Sequence, residues 1–312
     1  MPHKFFINFP AMSNVHPPFA NFGEILALLT AISWAMAVIM FKKSGENVHP
    51  LALNLFKNVL SLILLFPTTY FLGEAIWRGV PPEEYGLLLI SGILGIGIGD
   101  TLFLKSLNLL GASLQAIINC LYAPSIIFLS ILYLGETMTI GQVIGSVMII
   151  SAVLVITTKK GKGNVGMRNL IIGIALGIIA SLASAFSIVM IKTLLERSPL
   201  VWVTQVRLAG GIAFLAVIFI FHPRRKNILL SLRSPGSWGY TLSGSFMGAY
   251  LSMILWLAGM KYTKASIAAV LNQMSNIFVF IFAVWLLKEP INRQRLIGII
   301  LGAGGAILVI FG

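Results

Sequence analysis

The chain repeats itself. Gly111-Ala112-Ser113 through Leu134-Gly135-Glu136 returns as Lys264-Ala265-Ser266 through Leu287-Lys288-Glu289, displaced by 153 positions. At that displacement Asn119 meets Asn272, Glu136 meets Glu289 and Gly145 meets Gly298. Identity between these landmarks is thin, so their order carries the signal of a duplicated unit. Each copy holds five apolar runs close to the ~20 residues needed to cross a hydrocarbon core. They fall near 23–41, 51–72, 86–104, 112–133 and 139–157, then near 169–191, 199–221, 238–260, 265–287 and 294–311. Because five is odd, the second copy enters the membrane from the opposite side, which is the inverted repeat of secondary transporters. The expected fold is an all-α polytopic membrane protein with ten transmembrane helices in two inverted five-helix repeats.

Composition agrees. With 58% hydrophobic and 10% charged residues, 312 residues leave too little polar surface for two soluble domains. The domain reading is a loose N-terminal tail over 1–22, a first repeat over 23–157, a linker over 158–168 and a second repeat over 169–312. The tail lacks an apolar run long enough for a signal peptide. Cys120 is the only cysteine, mid-span, and reads as a small apolar filler.

The net charge of +13 does not mark a nucleic-acid binder. The basic residues sit in short loops rather than on one aromatic-laced face. Fourteen of them, Lys42, Lys43, Lys105, Arg224 and Arg225 among these, fall on one set of alternate loops, and six, including Arg78 and Lys261, on the other. By the positive-inside rule the first set is cytoplasmic and both termini lie outside. Five spans also carry glycines four residues apart, such as Gly95/Gly99 and Gly244/Gly248, which let helices approach closely in lipid.

Ser33-Trp34, Lys57 and Arg207, Gly111-Ala112-Ser113 with Ala265-Ser266, and Leu-Gly-Glu at 134–136 with Leu-Lys-Glu-Pro at 287–290 recur in a fixed order. In these the chain resembles the drug/metabolite transporter superfamily, in its ten-helix form with two tandem EamA-type units, over roughly 23–311. The resemblance implies that spans one, three, four, six, eight and nine line a cavity and that five and ten are peripheral. Lys57 and Arg207, in spans two and seven, would then lie outside it. Members of that superfamily are associated with both termini inside, opposite to the charge bias. In its small multidrug members a Glu inside the first helix carries proton coupling; here that helix has only Glu24, at its start.

Few residues offer chemistry. Gly97-Ile98-Gly99-Asp100 matches the GxGD signature of intramembrane aspartyl proteases, which need a second aspartate, and Asp100 is the chain's only one. The four histidines lie in the tail or at span ends, and with one cysteine neither a Ser–His hydrolase nor a metal site is expected. No catalytic residue, metal or cofactor is therefore expected. Asp100 lies deep in the third span and needs a partner, with Lys105, Lys57 and Arg207 as candidates. It reads either as a coupling group or as half of a structural ion pair. Lys57 and Arg207, displaced by 150, either snorkel to the interface or bind an anionic solute.

Gln115, Asn119 and Tyr122 fall on one helical face, and Asn272 and Asn276, with Gln273 beside them, form the matching stripe. Midplane amides at related positions either bind solute or bond between helices. Trp34, Tyr250 and Trp256 are candidate cavity walls, and Ser181, Ser184 and Ser187 give span six a narrow polar face. Glu136 and Glu289 are read as partners of the helix dipoles that follow them. The expected function is alternating-access transport of a small polar or amphipathic metabolite, with an amino-acid exporter favoured over a phosphate- or nucleotide-sugar exchanger. A channel or intramembrane enzyme is the rival from another class. The partners are a small-molecule substrate and the lipid bilayer, and the chain is a monomer or homodimer.

Overall fold

A computed structural model describes residues 22–75, 77–134, 139–157, 166–262 and 265–311. Glu136, Lys264, the tail up to residue 21 and most of the linker lie outside these residues. In the first half, α1 (Phe22–Ser44) and α2 (Pro50–Phe71) are followed by α3 (Pro82–Gly92), a π-helical segment (Ile93–Gly99) and α4 (Asp100–Leu110). Then come α5 (Ala112–Asn119), α6 (Tyr122–Leu134) and α7 (Ile140–Thr157). The second half holds α8 (Met167–Val189), α9 (Lys192–Arg197), α10 (Leu200–Phe221) and α11 (Arg225–Ser231). It ends with α12 (Trp238–Gly244), a second π segment (Ser245–Leu251), α13 (Ser252–Tyr262), α14 (Ala265–Leu286) and α15 (Arg293–Phe311).

Helix lies at each of the ten expected spans, and five helical stretches are by themselves long and apolar enough to cross a membrane: Phe22–Ser44, Pro50–Phe71, Pro82–Leu110, Met167–Val189 and Val201–Phe221. The protein is an all-α, multi-pass membrane protein. Local chemistry sets the helix ends. His49 caps α2 by accepting the Leu51 amide on Nδ1 at 3.2 Å, and Pro50 starts the helix with its φ already fixed. Gly111, at φ 87°, ends α4 in backbone space that a side chain would strain. The fourth span is broken rather than continuous. Pro124 has no N–H to return, and the amides of Cys120 and Leu121 instead close tighter turns onto Ile117 and Ile118.

The third span is longer than expected, 82–110 rather than 86–104, and it carries the first π segment. The second π segment sits 152 residues later, at the corresponding place in the eighth span. π turns leave carbonyls poorly served by their own helix. Here side chains of neighbouring helices serve them. Asn54 donates to the Ile96 carbonyl at 2.8 Å, Ser33 to Met247 at 3.0 Å and Ser61 to Ala249 at 2.6 Å.

The halves interlock. α1 packs on α13, the second π segment and α14, while its counterpart α8 packs on α4, the first π segment, α5 and α6. α2 crosses the second π segment and α10 the first, and α7 and α15 pair at the periphery. Small residues permit these approaches: Ala31, Ala35 and Ala37 of α1 are fully enclosed, and a side chain at Gly248 would meet Ala37. The first, second, third and fourth spans of one half thus meet those of the other around a central gap.

Candidate functional site

That gap is a cavity of about 320 Å³ walled by both halves. Three charged side chains reach it. From α2, Lys57 donates to Asp100 Oδ2 at 2.5 Å and to Asn58 Oδ1 at 3.4 Å. The lysine side chain is 6% exposed and the aspartate 30%, so Lys57 lies behind the carboxylate and Asp100 meets the cavity. A charge taken out of water costs several kcal/mol, and an opposite charge at contact distance offsets that cost. Arg207 of α10 is held by neutral groups: Nε donates to Ser91 Oγ at 3.0 Å and a terminal nitrogen to Ser187 Oγ at 3.3 Å. Ser91 in turn donates to the Ser187 carbonyl at 2.6 Å. Among the described residues no carboxylate forms an ion pair with Arg207.

Amides and rings complete the lining. Asn119, Asn272 and Gln273 line the wall. Behind them buried Asn276 accepts from Asn119 at 3.0 Å and donates to Gln273 Oε1 at 3.1 Å, so a single chain of amides joins α5 to α14. Trp34, Phe103, Tyr122 and Trp256 supply apolar surface, with the Trp34 and Phe103 rings 6.2 Å apart. Ser181, Ser184 and Ser187 place the polar face of α8 on the cavity. A charged pair, a guanidinium held by hydroxyls, amides and flat rings together suit a solute with both polar and apolar parts.

Of the residues singled out in the sequence, Trp34, Lys57, Asp100, Asn119, Tyr122, Arg207, Trp256, Asn272 and Gln273 line this space. Others do not. Gln115, one turn below Asn119, is buried against α4, where Ser106 donates to its Oε1 at 2.5 Å. Tyr250 pairs with the Thr68 hydroxyl at 3.0 Å and packs in an apolar cluster with Leu65 and Leu208. Lys105 is not the partner of Asp100: it is exposed and lines a separate groove.

Two expectations about charges are corrected. Snorkelling is not the role of Lys57, which turns inward because Asp100 offers it a partner there, and with Arg207 it brings the second and seventh spans into the cavity wall. Glu289 does not cap the helix that follows it, whose Arg295 amide is taken by Asn292 Oδ1. It reaches into the other half, accepting the Ala112 amide at 2.7 Å and the Ser113 hydroxyl, so it caps α5. Arg295 joins it at 3.3 Å. Geometry favours this because the α5 amides are otherwise unpaired at a helix start.

Asn58, Phe103, Thr204, Ser252 and Ser275 also line the cavity and escaped the sequence reading. A signal existed for some. Asn54, Lys57 and Asn58 form a polar stripe in an otherwise apolar span, as do Thr204 and Arg207.

Interlocked halves of membrane-spanning helices enclose a polar, charged cavity. Residues 21–158 and 171–311 match the EamA-like transporter family, and the chain belongs to it. An uncharacterized transporter of Archaeoglobus fulgidus is 26% identical over 282 residues, covering 88% of this chain and 94% of its own length. Another, from Methanothermobacter thermautotrophicus, is 25% identical over 92% of this chain and 85% of its own. A solved structure described simply as a crystal structure of a protein superposes with a TM-score of 0.66. It covers 92% of this chain and 95% of its own at 15% identity, a likeness of fold. The protein is a multi-pass membrane transporter of a small-molecule substrate.

Proposed function

We propose that the protein is a secondary transporter that moves a small amphoteric metabolite, amino-acid-like in its charges, across the cytoplasmic membrane by alternating access of the central cavity. One observation carries this reading: Asp100 and Arg207, of opposite charge, line the same space beside amides and tryptophans. A solute bearing both an ammonium and a carboxylate finds a partner for each. Rocking of the two interlocked halves about the cavity would expose it to either side in turn, with export as the expected direction.

The test is counterflow in proteoliposomes loaded with amino acids, organic anions, phosphosugars or quaternary amines, with and without a proton gradient. Saturable exchange of amphoteric solutes, weakened in Arg207→Gln, is the expected result. Unsaturable flux would identify a channel instead. A second reading has its own support, because Lys57 and Arg207 together outnumber the one carboxylate. Exchange confined to phosphate esters would select that reading, an organophosphate or nucleotide-sugar exchanger. The basic loops support an orientation with both termini outside. Cytoplasmic activity of a reporter fused after Gly312 would overturn it.

A further inference from the structure

The third span has a second working face. Asp100 lines the central cavity, whereas its neighbours Ile98 and Leu102 line a different space. There, together with Leu51 of α2 and Phe214 and Ile218 of α10, they line an apolar groove of about 320 Å³. Its one buried-side hydroxyl is satisfied from within: Thr101 donates to the Gly97 carbonyl at 2.6 Å and accepts from Asn54 at 2.8 Å. The wall therefore asks for hydrocarbon rather than for a polar solute.

The mouth of the groove is cationic. Lys105 stands at its end, exposed, with no hydrogen bond or ion pair among the described residues. His49 lies beside it and also lines an adjoining surface pocket that contains His222 and Arg224. The two imidazole rings are 6.3 Å apart. The one carboxylate in that pocket, Glu46, is engaged with Lys43 at 3.4 Å. Next to it α11 exposes Leu229 and Leu230 beside Arg225 and Lys226, the composition of a short helix resting at a membrane surface.

We infer that this groove is a binding site for an anionic phospholipid. One acyl chain lies between α2, α4 and α10, and the headgroup phosphate rests against Lys105, His49 and Arg224. The charge at the mouth selects the phosphodiester: a cation near a membrane surface contributes about 1 kcal/mol toward anionic lipid. The occupant is thereby distinguished from a zwitterionic lipid, which would gain the chain contact but no net charge complement. The site is separate from the central cavity, sharing with it only the helix wall.

The experiment uses the full-length protein purified in detergent and offered phosphatidylglycerol or phosphatidylcholine with identical acyl chains. Retention is followed by native mass spectrometry and by the thermal midpoint. Phosphatidylglycerol is expected to be retained more strongly and to raise the midpoint more. Lys105→Gln should weaken that retention about fivefold, the equivalent of one surface cation. Because Lys105 is exposed, this variant leaves the core untouched. Leu102→Trp, which fills the groove, should reduce retention as well. Arg293→Gln, a cation removed from an exposed position away from the groove, should not. Equal retention of the two lipids, an equal loss in Arg293→Gln, or the same midpoint shift from inorganic phosphate alone would each overturn the site.

Discussion

Asp100 and Ser252 hold the same place in the two halves: each is the first α-helical residue after a seven-residue π segment, and each lines the central cavity. One copy puts a carboxylate there and the other a hydroxyl. The scaffold is repeated but the charge is not, and with Lys57 and Arg207 on the related helices α2 and α10 the cavity becomes electrically lopsided. The duplicated frame thus carries a charge that does not follow its repeat.

Removing one member of the Lys57–Asp100 pair should destabilise more than removing both. Asp100→Asn leaves a buried ammonium without its counter-charge, at a cost of up to about 3 kcal/mol, while the Lys57→Met, Asp100→Asn double variant loses less. Thermal unfolding in detergent measures both. A double variant as unstable as the sum of the singles would refute the pairing.

Arg207 is predicted to govern solute affinity through its planar fork. Arg207→Lys keeps the charge but loses that geometry and should raise the counterflow KM, and Arg207→Gln should raise it by roughly tenfold or more. The readout is KM alongside the unfolding midpoint. Loss of stability with an unchanged KM would assign Arg207 a purely structural part.

Gly92→Ala is expected to be destabilising by about 1–3 kcal/mol. A Cβ there would run into the Arg207 backbone carbonyl, and α3 and α10 would have to separate. Gly86→Ala on the same helix, where nothing lies within 4 Å, is the control and should be neutral or mildly stabilising. Equal behaviour of the two variants would remove the close approach as the cause.

Glu289→Ala should cost about 1 kcal/mol for the lost cap on α5. A further loss follows because Arg295, itself nearly buried, loses its carboxylate. Amide hydrogen exchange at Ala112 and Ser113 reports the cap locally. Unchanged protection there would exclude it.

His49 predicts a pH dependence. Burial, then electrostatic coupling to the neighbouring His222 and Lys105, holds its imidazole below the ordinary value of 6.5. The unfolded chain therefore takes up a proton more readily than the folded one. The stability tied to His49 is complete above the unfolded value and declines as pH falls through it. His49→Asn, which still caps α2, should flatten this part of the midpoint profile; a profile that keeps its slope would contradict the assignment.

Much of the cavity was legible one helix at a time. Asn119, Tyr122, Asn272 and Gln273 are polar residues on apolar spans, and such groups turn toward one another or toward water because lipid satisfies none of them. The same logic ran too far at Gln115. It shares a face with Asn119, yet Ser106 and the close passage of α8 at Gly177 shut off its level from the cavity. The π segments were not legible at all. Each widens one turn and shifts the faces beyond it, so helical spacing counted across Ile93–Gly99 loses register. Nor does any spacing rule reveal that their carbonyls are served by Asn54, Ser33 and Ser61 on other helices.

By itself the sequence determined that this chain is an all-α membrane protein and that its second half copies its first. Both follow from quantities summed along the chain: the transfer free energy of apolar runs, and the order of repeated landmarks. Only the tertiary structure decided that Asp100 meets Lys57 rather than Lys105, that serine hydroxyls hold Arg207, and that Glu289 caps a helix of the opposite half. Those outcomes depend on distances between segments far apart in sequence, 43 residues for Lys57 and Asp100. Coulomb attraction and helix capping act over a few ångströms, so they are settled only once packing has brought those segments together.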